Sequence, residues 1–167
     1  MEPLVETLIE DDRWTALDLP ALGERAGLAA LGAAGLQPQG YALCLMACDD
    51  ARIATLNSQF RGKPAPTNVL SWPSKDRASE VFGDPPPPPK AGDADEPLQL
   101  GDVALAFDTC TREAQEQGKP LTDHACHLIV HGVLHLLGYD HEDDEDATLM
   151  ERIEISALAT LGIANPY

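Results

Sequence analysis

Positive charge is scarce in this chain of 167 residues, where 11 Lys and Arg stand against 28 Asp and Glu, a formal balance of −17 with histidines neutral. General electrostatic attraction to polyanions is excluded, so any nucleic-acid contact has to be confined to a local basic surface. Aromatic residues are few as well, at 5% against 44% for all hydrophobic types, and the length suits one aliphatic core spanning 1–167 rather than two domains. No apolar run approaches the roughly 18 residues that a bilayer span needs. The N-terminus, Met1-Glu2-Pro3-Leu4-Val5-Glu6, lacks the basic start and apolar stretch of a signal peptide, so the expected compartment is cytoplasmic, with no membrane partner. The four cysteines, Cys44, Cys48, Cys110 and Cys126, are then expected as reduced core fillers. Cys44 and Cys48 share a strand face but lie about 13 Å apart, too far to chelate one ion.

What is present falls into a mixed pattern. Short apolar runs at 4–9, 41–48, 69–72 and 102–107 predict four strands, and helical periodicity at 21–36, 50–60, 109–117, 121–137 and 143–161 predicts five helices. The expected fold is therefore α/β or α+β, a small four-stranded mixed sheet covered by helices. Residues 83–97 contain five consecutive prolines, Pro85 to Pro89, followed by Gly and acids, and predict a flexible Pro-rich loop between two strands. Six acids among the seven residues from Asp140 to Asp146 predict a solvated helix start facing the positive end of the helix dipole. Against this background, residues 51–77 carry Arg52, Arg61, Lys63, Lys75 and Arg77 with Asp76 as the single acid, and form the candidate polyanion-binding segment.

All five histidines lie between 124 and 141. His124, His127, His131 and His135 fall on one stripe about 80° wide at 100° per residue, on a helix that is otherwise apolar. Such a helix is buried. Four imidazoles buried together would need many hydrogen-bond partners, so a metal or a cleft has to meet the stripe. His131 and His135, one turn apart, can reach one zinc ion. A reversal after Gly138 brings His141 back over the same face, and the spacing of +4 and +10 matches three-histidine zinc sites with one coordination position left for water. Gly132 stands where H-E-x-x-H peptidases carry their glutamate base, and a glycine inside a helix implies close approach of substrate or of a neighbouring element. Asp140 is a candidate alternative base, or one more acid of the helix start. His124 is left without a role. His127 reads equally as support for the ligands, an RNA contact or a satisfied buried side chain.

Taken together, His131-Gly-Val-Leu-His135-Leu-Leu-Gly-Tyr-Asp-His141 resembles the signature of the YbeY family. Leu56-Asn57-Ser58-Gln59-Phe60-Arg61-Gly62-Lys63, followed by Pro66-Thr67-Asn68-Val69-Leu70-Ser71-Trp72-Pro73, resembles that family's arginine segment and its next strand. Leu100-Gly101-Asp102-Val103, Leu161-Gly162 and Pro166-Tyr167 are also similar. Ala65, Trp72 and the long Pro-rich loop depart from the usual pattern.

The resemblance implies a zinc-dependent, single-strand-specific endoribonuclease. Its implied role is late 3′-end maturation of 16S ribosomal RNA and quality control of 70S ribosomes, with ribosomal RNA, the ribosome, a small-subunit ribosomal protein and an assembly GTPase as partners. It implies one Zn2+ per chain on His131, His135 and His141, with Arg61 as the essential basic residue. Arg61 and His131 are thus the catalytic candidates, and Lys63, Thr67 and Ser71 join Arg61 as substrate contacts on spacing and polarity. Two other readings compete: a zinc hydrolase of another class, such as a peptidase or amidase, and a non-catalytic ribosome assembly factor with a structural zinc, which the acidity favours.

Overall fold

Four strands form one sheet in the order β1-β2-β4-β3. The computed structural model describes residues 3–167, so Met1 and Glu2 of the N-terminal reading lie outside the described residues. Strand β1 (Val5–Ile9) runs parallel to β2 (Tyr41–Cys48), which runs parallel to β4 (Leu98–Ala106). β3 (Val69–Pro73) closes the other side antiparallel to β4, pairing Ser71 with Val103, and is left as a free edge. Helix α1 (Leu19–Ala33) makes the crossover between the parallel strands β1 and β2, as parallel pairing requires.

The sheet buries both faces, and β4 shows how. Val103 and Leu105 join the main core with α1, α4 (Leu121–Leu136) and α5 (Asp144–Thr160). The alternate residues Ala104 and Ala106 join a smaller core with Ile53 and Leu56 of α2 (Asp50–Arg61). Helix α4 is the centre of the molecule, with ten of its sixteen residues buried, as expected of a helix apolar nearly all round. Helix α3 (Phe107–Glu116) follows β4 directly.

The strands and helices occur where the sequence pattern places them, with shifted boundaries and one added element; α1 spans Leu19–Ala33 rather than 21–36. β4 begins at Leu98, before the expected 102, because its first residues pair with Tyr41 and Ala42 of β2. α3 begins at Phe107 rather than 109. A short 3-10 helix, Asp12–Leu17, was not expected. It is held from outside itself, by the buried Trp14 indole donating to the Cys48 carbonyl at 2.9 Å. Residues 83–97 form no helix or strand, and the segment is fastened where the Tyr41 hydroxyl donates to the Pro89 carbonyl and Gly92 N–H to the Gly40 carbonyl at 2.9 Å. The acids do start a helix: Asp143 caps α5 by accepting from Glu145 and Asp146 N–H. Asp140 stands apart from that helix, its carboxylate accepting from the His141 N–H at 2.7 Å.

Candidate metal centre

The last two turns of α4 present His131 and His135 on one face, and the loop that follows returns His141 to them. The three side chains bring one ligand nitrogen each within 4.8 Å of one another. Ring centroids lie 4.6 Å apart for His131 and His135, 5.2 Å for His131 and His141, and 5.1 Å for His135 and His141.

Hydrogen bonding decides which nitrogens face inward. The Nδ1–H of His131 donates to the Glu154 carboxylate, a fully buried group on α5. The Nδ1–H of His135 donates to the Tyr139 carbonyl at 2.9 Å. With both Nδ1 protons so committed, the two Nε2 atoms carry lone pairs, and they face each other at 3.1 Å. Two bare acceptors at that distance repel unless a cation lies between them. Nitrogens bound at tetrahedral zinc stand about 3.3 Å apart, so the donor set fits such an ion. Burial and the neighbouring imidazoles of His131 and His141 push His135 down to about 4, so it is neutral at physiological pH, as metal binding requires of an imidazole. For Glu154, burial alone would raise the carboxyl, but the nearby His127 imidazole, with Nε2 3.6 Å away, and hydrogen bonds from His131 and Tyr167 overrule it and bring it down to about 2. An ionised carboxylate therefore stands behind His131, the arrangement that orients a metal-binding imidazole and raises its basicity.

Two glycines shape the helix and its loop. A Cβ on Gly132 would sit 2.8 Å from Val103 Cγ1 and 3.2 Å from Ser71 Oγ. A neighbouring element, the sheet, fills the space beside Gly132, and a glutamate has no room there. Gly138 has φ +105°, and a Cβ on it would meet the Arg77 carbonyl at 2.4 Å. Arg77 is itself buried, and its guanidinium donates to the carbonyls of Leu136 (3.0 Å) and Leu100 (3.2 Å) and to Ser74 Oγ (2.7 Å). It satisfies the C-terminal end of α4 and thereby fixes the loop carrying His141.

This finding narrows the basic segment. Arg77 is structural and faces inward, and Arg52 is turned to Glu10, with Nε 3.2 Å from its carboxylate. Arg61 remains exposed and is in none of the ion pairs formed among the described residues. It is the last residue of α2, a helix capped by Asp49 at its start and ended by Gly62 at φ +69°. A cleft of about 650 Å³ at the free edge of β3 is lined by Arg61, Thr67 and Ser71 together with His131, His135 and His141. Lys63 is exposed and does not line it.

The other two histidines of the stripe do not reach this cleft. His124 is buried, with Nε2 2.9 Å from Glu113 Oε1, and the same carboxylate accepts from the Asn68 amide. His127 Nε2 lies 3.4 Å from the Tyr167 hydroxyl, and that hydroxyl donates to Glu154. Glu154, Tyr167 and Arg77 act on the ligand loop and helix from distant parts of the chain, and the histidine pattern gives no sign of them.

Residues 25–162 match the family model described as Endoribonuclease YbeY. The chain belongs to the YbeY family. A Cereibacter sphaeroides protein named Endoribonuclease YbeY is 62% identical over 167 residues, with the whole of both chains covered. A Dinoroseobacter shibae protein of the same name is 58% identical over 165 residues, covering 98% of this chain and 90% of its own. A Thermotoga maritima protein solved in solution shares the fold, with a TM-score of 0.54 at 19% identity over 95% of this chain and 91% of that one. The YbeY signature quoted from the sequence is the segment that forms the histidine cluster. No helix among the described residues is long and apolar enough to cross a membrane.

Proposed function

We propose that this YbeY-family chain is a zinc-dependent endoribonuclease acting on single-stranded RNA, with late 3′-end maturation of 16S ribosomal RNA and 70S ribosome quality control as its role in the cytoplasm. The observation that carries the reading is the cleft itself, which is lined both by three convergent imidazoles and by Arg61, a residue in no ion pair among the described residues. The relatives' shared name supports the reaction class. Recruitment by the ribosome, a small-subunit ribosomal protein and an assembly GTPase would reconcile an RNA substrate with a net charge of −17.

His131, His135 and His141 would hold one Zn2+. When bound, such an ion supplies a Lewis acid that polarises a phosphoryl oxygen or activates water. Glu154 keeps the His131 proton on Nδ1 and so leaves Nε2 free. Arg61 takes two phosphate oxygens through its planar fork and holds the charge that develops on them. Thr67 and Ser71 offer hydroxyls within the same cleft, and Lys63 draws the strand from outside it.

The two rival readings meet specific obstacles. A peptidase of the H-E-x-x-H type needs a base at position 132, where the packed sheet leaves no room for a glutamate. Glu154 does not replace it, because it is fully buried behind His131. A structural zinc is ordinarily closed by four protein ligands, whereas the cluster among the described residues has three and opens on a cleft.

The test is cleavage of a 16S 3′-precursor fragment by wild type, His131→Ala and Arg61→Ala prepared identically, with zinc content measured for each. Loss of cleavage in both variants, with zinc retained in Arg61→Ala, is expected. Equal cleavage by all three identifies a contaminating ribonuclease and overturns the reading in favour of an assembly factor.

A further inference from the structure

The lip of the cleft that carries Arg61 also carries an aromatic pair with no partner. Phe60 precedes Arg61 at the end of α2 and is 63% exposed. Its ring meets Trp72 of β3 edge to face, with centroids 5.5 Å apart and planes at 69°. Both line the cleft with the three histidines. The chain has only three Phe, two Trp and three Tyr, so two rings meeting at one exposed edge is a concentrated use of a scarce side chain. An exposed aromatic costs hydration, and neither core explains the outer face of Phe60.

Resting on the endoribonuclease reading, we infer that Phe60 and Trp72 form a stacking platform for an unpaired nucleobase flanking the phosphate held at Arg61 and the histidines. Charge makes such a platform necessary. The molecule carries −17 overall, and Arg52 and Arg77 of the basic segment are already engaged. Long-range attraction to RNA is therefore weak, and affinity has to come from short-range contacts. Stacking on an aromatic ring works for every base and carries no charge. It also selects single strands, because a base inside a duplex is stacked on its neighbours and its face is not available. β3 is the free edge of the sheet, with Ser71 turned towards α4 and Trp72 packed on the α2 side. A strand laid over that edge places its phosphate by the histidines and its next base on the rings.

Two measurements on the zinc-loaded full chain test this. The first is cleavage of a short single-stranded oligoribonucleotide by wild type, Phe60→Leu and Trp72→Phe. Phe60→Leu should raise KM about tenfold with a much smaller effect on kcat, while Trp72→Phe, which keeps a smaller ring, should raise KM by a lesser factor. One abasic nucleotide beside the cleavage position should cost wild type a similar factor and cost Phe60→Leu little more. The second measurement does not require turnover. Trp14 is fully buried, so quenching of tryptophan emission on rapid mixing with a single-stranded oligoribonucleotide, read before turnover, reports on Trp72, and an abasic position should abolish it. Phe60→Leu within twofold of wild type in KM, or absent quenching, overturns the platform and leaves the patch to a protein partner. Failure of wild type to cleave while quenching persists would instead strike the endoribonuclease reading alone.

Discussion

Replacing Glu154 by Gln tests the metal centre without touching a ligand. The carboxylate is fully buried, with Oε1 accepting from His131 Nδ1–H and Oε2 accepting from the Tyr167 hydroxyl. Glutamine keeps the volume and still offers one carbonyl oxygen, so packing around α5 is preserved. What disappears is the negative charge behind His131. A hydrogen bond to an ionised acceptor is roughly twice as strong as a neutral one, and the polarised imidazole is the stronger donor to a cation. Loss of such a partner ordinarily weakens metal binding by about 10- to 100-fold, which is about 1.4 to 2.8 kcal/mol. Zinc affinity should be measured by competition with a chromophoric chelator, and the melting temperature of the metal-free proteins recorded alongside. The expected result is weaker zinc binding by that factor, with the metal-free variant melting within a few degrees of wild type. Zinc bound by Glu154→Gln within twofold of wild type would refute the idea that this carboxylate orients His131. Tyr167→Phe, which keeps the ring and removes one donor to the same carboxylate, should move affinity in the same direction by a smaller factor.

Two further substitutions separate packing from ligation. Gly132→Ala places a Cβ 2.8 Å from Val103 Cγ1. It should destabilise by about 1–3 kcal/mol as overpacking does, read as a fall of several degrees in melting temperature, and an unchanged melting temperature would mean that α4 shifts freely on the sheet. Arg77→Met removes the donors to the Leu136 and Leu100 carbonyls. It should cost about 1–3 kcal/mol for the groups left unpaired and also lower zinc affinity by loosening the His141 loop, and normal affinity in a destabilised Arg77→Met would detach that loop from the arginine.

The contrast between these residues shows what a sequence pattern can carry. The histidine stripe was legible because a helix converts spacing into direction: +4 puts His131 and His135 on one face wherever the helix lies. The strand pattern was legible for the same reason, since β2 alternates buried and half-buried side chains while the continuous apolar run at the end of β4 reports two buried faces. The loop that brings His141 to the cluster follows no period. It is set by Gly138 against the Arg77 carbonyl and by Arg77 against the end of α4, contacts between segments about 60 residues apart.

Charge counts mislead for a related reason. Arg77 and Arg61 contribute equally to a local excess of positive charge, yet one is 6% exposed and satisfies carbonyls while the other stands in an open cleft. A buried guanidinium is tolerated only where carbonyls surround it, and composition does not report where carbonyls are. Glu154 was hidden in the same way, as one more acid in a chain with 28. Burial on α5 behind His131 distinguishes it, because desolvation forces a carboxylate to keep its donors and one of those donors is the N–H of a candidate ligand. The clustered histidines could be read along the chain, but the groups that aim them could be identified only once α4, α5 and the residue 74–77 turn were brought together.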